Sequence, residues 1–312
     1  MKHLIADFLL WLFWVPFRRL MQLLPLQLSY ATAYGAALTA SWLLRGTKQE
    51  IAAEMARILP KQYSEKELKK IAGQSIRLDI LRRIEELFMG QFTPEALRQT
   101  ISIEGEEFLK QAIKEQRGTV ILLSHFGSFL MILPALALRG YSVNQLAGPP
   151  ALKYHRKINQ RIFALRKKDY SRLPIKFLRA DLHIKTMLKA LGNNELVAMA
   201  FDGRISNTWV PVRFFNKKAE VAPGPVKIAK KTGASILPTF IVRERYNHHR
   251  LIFKEPVTLD RTVPGKEFLQ ENTQNLAEIF EKMITEYPAH FAMIFHINKK
   301  RSEQGVEKNF FS

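Results

Sequence analysis

Residues 121–133 read ILLSHFGSFLMIL: an apolar run, then Ser124-His125, a glycine two places on, and a second apolar run. The reference pKa of an imidazole is close to working pH, so a neutral His125 at a strand end could act as a general base toward a hydroxyl. The competing reading is a histidine that bonds locally and does no chemistry, and position alone does not separate the two. Ser124 and Ser128 do not make a serine nucleophile, because neither sits in G-x-S-x-G and neighbours on an extended chain point apart. Two other stretches carry candidate groups. In AMAFDGR, Asp202 ends an apolar strand and precedes Gly203 and Arg204. In VAPGPVKIAKKTGASILPTFIVRER, a Gly-Pro turn opens a basic helix with Lys227, Lys230 and Lys231, and the following strand closes on Arg243 and Arg245. Taken singly these are weak signals, since a strand-end Asp is often a helix cap and a lysine run is often a solvated face.

The elements around these groups form a pattern. Residues 46–99 read as helices, with Ser64 and Glu67 completing a capping box ahead of a long helical period. From about residue 101, short β-branched runs (ISIEG, GTVILLS, YSVNQLAG, LPIKFL, ELVAMAF, WVPVRFF, ASILPTFIV, RLIFKEPV) alternate with helical stretches near 105–116, 128–139, 151–168, 182–192, 222–232 and 265–286. That alternation predicts an α/β fold with a mixed, largely parallel sheet flanked by helices. GTVILLS then brings Ser124-His125 to a strand's C-terminal end, with Gly127 turning into a helix near Ser128, and open α/β sheets build their sites at such ends. The expected plan is residues 1–45 as membrane-anchoring or interfacial helices and 46–312 as one α/β unit, helical over 46–99 and α/β over 100–312.

Charge and the N-terminus narrow the partners. The chain has a net charge of +20. Residues 151–231 hold 19 Lys/Arg and 5 Asp/Glu, a local excess of 14, which leaves 6 for all other residues. Such a field attracts nucleic acid, anionic headgroups or an acidic protein. Leu4–Phe17 (LIADFLLWLFWVPF) is apolar apart from Asp7, carries Trp11 and Trp14, and precedes Arg18-Arg19. Fourteen helical residues reach about 21 Å, short of the roughly 30 Å hydrocarbon core, which fits an interfacial or tilted anchor. The run ends in Pro16-Phe17-Arg18-Arg19 rather than a small-residue cleavage site, favouring a retained anchor over a cleaved signal. No RNP, KH or zinc-finger pattern accompanies the charge, and a nucleic-acid binder has no need of the apolar anchor. Without cysteine there are no disulfides or thiolate metal sites. His248-His249 reads as a hairpin tip, and His290 and His296 are six apart, so no metal is expected.

In their order, these stretches resemble the bacterial lipid A biosynthesis acyltransferases, within the wider superfamily of lysophospholipid and glycerolipid acyltransferases. The resemblance spans the N-terminal anchor, SHFGSF, the basic helix YHRKINQRIFALRKK, FDGR, the long VPVRFFNKKAEVAPGPVKIAKKTGASILPTFIVRER block and the closing ITEYPAHFAMIFHINKK. It implies a membrane-associated enzyme on the cytoplasmic face of a bacterial inner membrane. Such an enzyme moves a fatty acyl chain from a thioester, on acyl carrier protein or coenzyme A, to a hydroxyl of a lipid or glycolipid acceptor, with no cofactor. His125 matches the base of the family's His-four residues-acid block, with Gly127 and Ser128 beside it. The acid's position is Leu130, and leucine can neither accept the Nδ1–H bond nor stabilise imidazolium. Loss of the orienting carboxylate from a serine-protease triad costs about 10⁴ in rate. Three readings stay open: another carboxylate serves, Asp202 being the one strand-end acid to nominate; the enzyme runs slowly on a less demanding acceptor; or the scaffold is a catalytically silent lipid- or carrier-binding protein. On the first two, Leu130→Glu is expected to raise the rate. Arg156 and Arg161, with Lys157 and Arg166, recur at helical spacing as a positive face for phosphates, carrier protein or headgroups; Arg204, Lys227 and Arg243 are candidates for phosphate contact nearer the site.

Overall fold

A computed structural model describes residues 2–60, 63–147, 156–179, 182–204, 206–260 and 262–311. Helices come first: α1 (Lys2–Leu12), α2 (Arg18–Leu23), α3 (Leu26–Leu43), α4 (Arg45–Ile58), α5 (Glu65–Leu87) and α6 (Pro94–Thr100). Strands and helices then interleave as β1 (Ile101–Glu104), α7 (Glu106–Lys114), β2 (Thr119–Leu123), α8 (Ile132–Ala137), β3 (Val143–Ala147), α9 (Lys157–Tyr170), β4 (Ile175–Arg179), α10 (Ile184–Gly192) and β5 (Leu196–Ala200). The chain closes with β6 (Val210–Phe214), β7 (Lys217–Val221), α11 (Gly224–Thr232), β8 (Ser235–Arg245), β9 (His248–Phe253), α12 (Gly265–Glu286) and α13 (Ala292–Glu303).

Seven strands form one sheet in the order β1-β9-β8-β2-β5-β3-β4, parallel at every pairing except the β8–β9 hairpin. The expected mixed, largely parallel α/β sheet is what the chain forms. Strand side chains alternate between faces, and β2 is buried along its whole length. Accordingly Val120 and Leu122 enter the core beneath α4, α5, α11 and α12, whereas Ile121 and Leu123 enter the core beneath α6, α7 and α8. Both faces are therefore covered, as unbroken apolar strands require. The Ser64–Glu67 capping box is present at the start of α5.

The structure adds elements that the periodicity did not separate. WVPVRFFNKKAEV folds as the β6–β7 hairpin, with Phe215 and Asn216 both at positive φ across a two-residue turn. The closing segment contains α13. His248-His249 is not a hairpin tip but the first pair of β9, with His249 buried. Residues 151–155 of the expected helix 151–168 lie outside the described residues; α9 begins at Lys157.

The N-terminal helices are packed on the α/β unit. Pro16 lacks an N–H and sits in a π-helical turn (Phe13–Phe17) between α1 and α2, which absorbs the missing bond. Trp14 and Met21 join Leu81 and Ile84 of α5, Phe88 just past its end, and Ile162 of α9 in a third core. On α3 a stripe of Ser29, Ala33, Ala37 and Ser41 at i, i+4 spacing lies against α5. The opposite faces stay exposed, among them Leu4, Ile5, Phe8 and Leu9 on α1 and Leu23, 83% exposed, after the turn. No described helix is long and apolar enough to cross a membrane.

Candidate active site

The register of two neighbouring strands builds the site. β2 and β5 are parallel, with Leu123 opposite Ala200 at their C-terminal ends. Two residues past each of those positions are His125 and Asp202. Asp202 Oδ2 lies 3.0 Å from His125 Nδ1 and also accepts the His125 backbone N–H at 3.0 Å. The carboxylate is 1% exposed while the imidazole is 47% exposed. One nitrogen is thus tied to the protein interior, and the ring keeps an open edge. Phe129 stands edge-on to the ring at 4.7 Å, and the Arg82 guanidinium lies 5.4 Å from the centre of Phe129.

The electrostatics follow from this geometry. The charge of Asp202 raises the pKa of His125 above the ordinary imidazole value, ahead of the opposing effect of burial. Burial pushes the Asp202 carboxyl up, but the His125 charge and the two bonds to it outweigh that, and its pKa lies below the usual value. With Nδ1–H donated to Asp202, Nε2 carries the lone pair, so the tautomer suited to a general base is the one this pair selects.

Gly127 and Ser128 are both engaged in fixing the loop. Gly127 has φ +57°, and a Cβ there would lie 2.2 Å from the Ile241 carbonyl oxygen. Its N–H donates to the His290 carbonyl at 3.0 Å. Ser128 is buried, its Oγ 3.0 Å from Arg243 Nη2 and 3.1 Å from His249 Nε2. Arg243 is itself buried: Nη2 is bonded to Glu85 Oε1, Nη1 to the Tyr246 carbonyl, and its backbone N–H donates to His290 Nε2 at 3.1 Å. Glu85 Oε1 also lies 2.9 Å from His249 Nε2 and accepts from the Tyr30 hydroxyl at 3.2 Å. Arg243, expected as a phosphate contact, thus has Nη1 and Nη2 bonded within an interior network, while its buried Nε has no partner among the described residues.

The other expected cations are dispersed. Arg204 reaches back to the Glu220 carbonyl (2.8 Å) and lies 3.5 Å from the centre of the Phe310 ring; burial pulls its pKa down to about 10. Arg156 pairs with Asp7 at 2.6 Å, so the one acid of the N-terminal apolar run docks α1 against the start of α9. Arg166 is paired to Glu86 and stacked near Trp14, while Arg161 and Lys227 are exposed on α9 and α11. Leu130 is half-buried and packs on the core beneath α8. Sequence reasoning overlooked the Glu85 network, although one signal was present: Glu85 falls on the apolar face of α5, next to Ile84 and one turn from Leu81 and Phe88.

Comparison with known proteins places the chain in a family. Two Mycobacterium tuberculosis proteins, one from each of two strains, are named phosphatidylinositol mannoside acyltransferase; each is 27% identical to this chain over 194 residues. That alignment covers 62% of this chain and 58% of theirs, so the chain spans less than two thirds of the relatives it matches. The family profile described as bacterial lipid A biosynthesis acyltransferase matches residues 2–300. With nearly the whole length accounted for, the chain belongs to the bacterial lipid A biosynthesis acyltransferase family.

Proposed function

We propose that this protein is a membrane-associated O-acyltransferase that moves a fatty acyl chain from an acyl thioester to a hydroxyl of a lipid or glycolipid acceptor, with His125 as general base. The observation that carries the reading is the His125–Asp202 pair. It supplies, from a different strand, the carboxylate that Leu130 cannot provide. As the acceptor oxygen attacks the thioester carbonyl, His125 Nε2 takes its proton, and Asp202 stabilises the imidazolium. Collapse of the tetrahedral intermediate breaks the C–S bond, and the imidazolium returns the proton to the departing thiolate. The product is an ester plus free thiol, with no redox change. The donor is carried on acyl carrier protein or coenzyme A, and the relatives' names point to a glycolipid as the acceptor class. The exposed apolar faces of α1–α3 support an interfacial seat on the cytoplasmic side of the inner membrane rather than a span.

The test is turnover by detergent-purified protein given acyl carrier protein thioester or acyl-CoA with glycolipid acceptors. Ester formation that disappears in His125→Ala is the expected result. Retained lipid binding with no turnover by the unaltered chain would replace this reading with that of a silent binding protein.

A further inference from the structure

The first half of α5, together with Lys48 of α4, lines an open cavity of about 540 Å³ whose charged lining is Lys48, Lys66, Lys69, Lys70, Arg77 and a single acid, Glu65. A second cavity of about 220 Å³ shares Lys48 and Lys69 with it and adds Trp42 and Arg45. Glu65 is engaged by Lys69 one turn on. Lys48, Lys66, Lys70 and Arg77 have no carboxylate at ion-pair distance among the described residues. This differs from the basic stretch 151–231, where Arg156 and Arg166 are taken up by Asp7 and Glu86. Lys48 is also positioned: a Cβ on Gly73 would lie 3.3 Å from its Cε, so the bare glycine lets the lysine stem cross α5.

The rim of the paired cavities is apolar. Trp42 is 63% exposed and Leu43 64%, and the Arg45 guanidinium lies 4.8 Å from the centre of the Trp42 ring. Exposed Leu38 and Leu28 continue that surface along α3. An acidic protein would satisfy the lysines but has no use for exposed tryptophan and leucine beside them. A bilayer with anionic headgroups engages both, cations at the phosphates and Trp at the interface. Its lysines also lie well along α5 from the reacting end of the acceptor: Lys70 precedes Arg82, the residue beside Phe129, by 12 residues, or about 18 Å of helix, and Arg77 at the near end of the lining is about 7.5 Å from Arg82.

We infer that this cationic cavity is a docking site for the phosphate of an anionic phospholipid headgroup, separate from the acceptor site, which sets the orientation of the protein on the bilayer. The inference rests on the interfacial seat proposed above. The experiment is co-sedimentation of the full chain with phosphatidylcholine vesicles and with vesicles in which part of the phosphatidylcholine is replaced by phosphatidylglycerol. The unaltered chain binds both and prefers the anionic ones. The triple variant Lys48→Gln, Lys66→Gln, Lys70→Gln loses that preference, at about fivefold per cation or roughly 100-fold in all, while keeping its binding to neutral vesicles. The corresponding triple lysine-to-arginine variant retains the preference, which separates charge from misfolding. An undiminished preference in the glutamine variant would overturn the inference and leave the interfacial seat standing. Failure of the unaltered chain to bind any vesicle would overturn both. Binding of a soluble acidic carrier protein through the same three lysines, without vesicles, would reassign the cavity to a protein partner.

Discussion

Two histidine–carboxylate pairs lie near the same loop and behave in opposite ways. His125 meets Asp202 at 3.0 Å on one side; His249 meets Glu85 at 2.9 Å on the other, and Ser128, three residues from His125, touches the second pair. The first imidazole is 47% exposed and has its pKa raised; the second is fully buried and has its pKa lowered. The difference lies in what else the carboxylate serves. Asp202 has His125 as its main partner, so its charge favours the imidazolium. Glu85 also bonds Arg243, whose charge pulls the His249 pKa down; with desolvation the larger effect, the ring stays neutral. A histidine beside an acid titrates usefully only when the acid is not already balanced and the ring reaches water.

The largest expected effect is on the first pair. Asp202→Asn keeps shape and burial but loses the charge that holds the Nδ1–H tautomer and stabilises imidazolium. The acyl-transfer kcat is expected to fall about 10⁴-fold, by analogy with the orienting Asp of a protease triad, with little change in Tm. The double variant with His125→Ala should be no worse than His125→Ala alone, because groups that act as a unit are not additive. Near-normal kcat in Asp202→Asn would break the comparison.

The second pair should answer in stability instead. Glu85→Ala leaves Arg243 buried without its counter-charge, a change of about 3–5 kcal/mol for a broken buried pair. That corresponds to a Tm drop of about 5–8 °C by the usual scaling for a chain of this length. Replacing both partners, Glu85→Leu with Arg243→Met, should recover most of the loss, since two apolar groups leave nothing unpaired. Differential scanning calorimetry of the three proteins checks this, and an unaltered Tm in Glu85→Ala would mean that the network carries no weight. Because burial raises the Glu85 carboxyl but Arg243 and His249 pull it well below its ordinary value, its contribution is complete above the unfolded carboxylate pKa. It is lost only as pH falls from there toward the depressed folded value.

The pH–rate profile sharpens the contrast further. The base form of His125 is neutral and Asp202 raises its pKa, so kcat/KM should climb with pH through a value above the ordinary imidazole pKa of about 6.5. In Asp202→Asn the same limb should move to lower pH even as the plateau collapses. A limb that stays in place would show that some other group sets it.

How much of this was legible beforehand depended on the range of the pattern. The strand GTVILLS, the turn at Gly127 and the strand ending at Asp202 are local, and unbroken apolar runs with strand-end polar residues made them readable. That β2 and β5 are neighbours with Leu123 opposite Ala200 is not local, so the sequence could nominate Asp202 but not its 3.0 Å approach to His125. The bond from Arg243 to Glu85 was hidden for a related reason: a strand-end arginine looks the same in sequence whether it faces a ligand or a buried glutamate 158 residues away. Charge counting over residues 151–231 likewise could not show that Asp7 and Glu86, from outside the counted window, pair with Arg156 and Arg166.

The smallest expected effect concerns Leu130, and here the structure leads to a different expectation from the family pattern. On the family pattern alone, Leu130→Glu restores a missing acid and raises the rate. Yet His125 Nδ1 is already held by Asp202, so a second carboxylate has no ring N–H left to accept from, because Nε2 carries the lone pair. Leu130 is half-buried against the core beneath α8, and a charge placed there would have to turn out to solvent or shift its own pKa upward. The expected result is therefore a kcat unchanged or lowered within severalfold and a Tm lowered slightly. In the Asp202→Asn background the prediction differs: with Nδ1 released, Leu130→Glu should recover part of the lost rate if the two positions are alternative sources of one carboxylate. Rescue in that background, with none in the unaltered chain, would establish that the acid has moved from one strand end to another while the base has stayed.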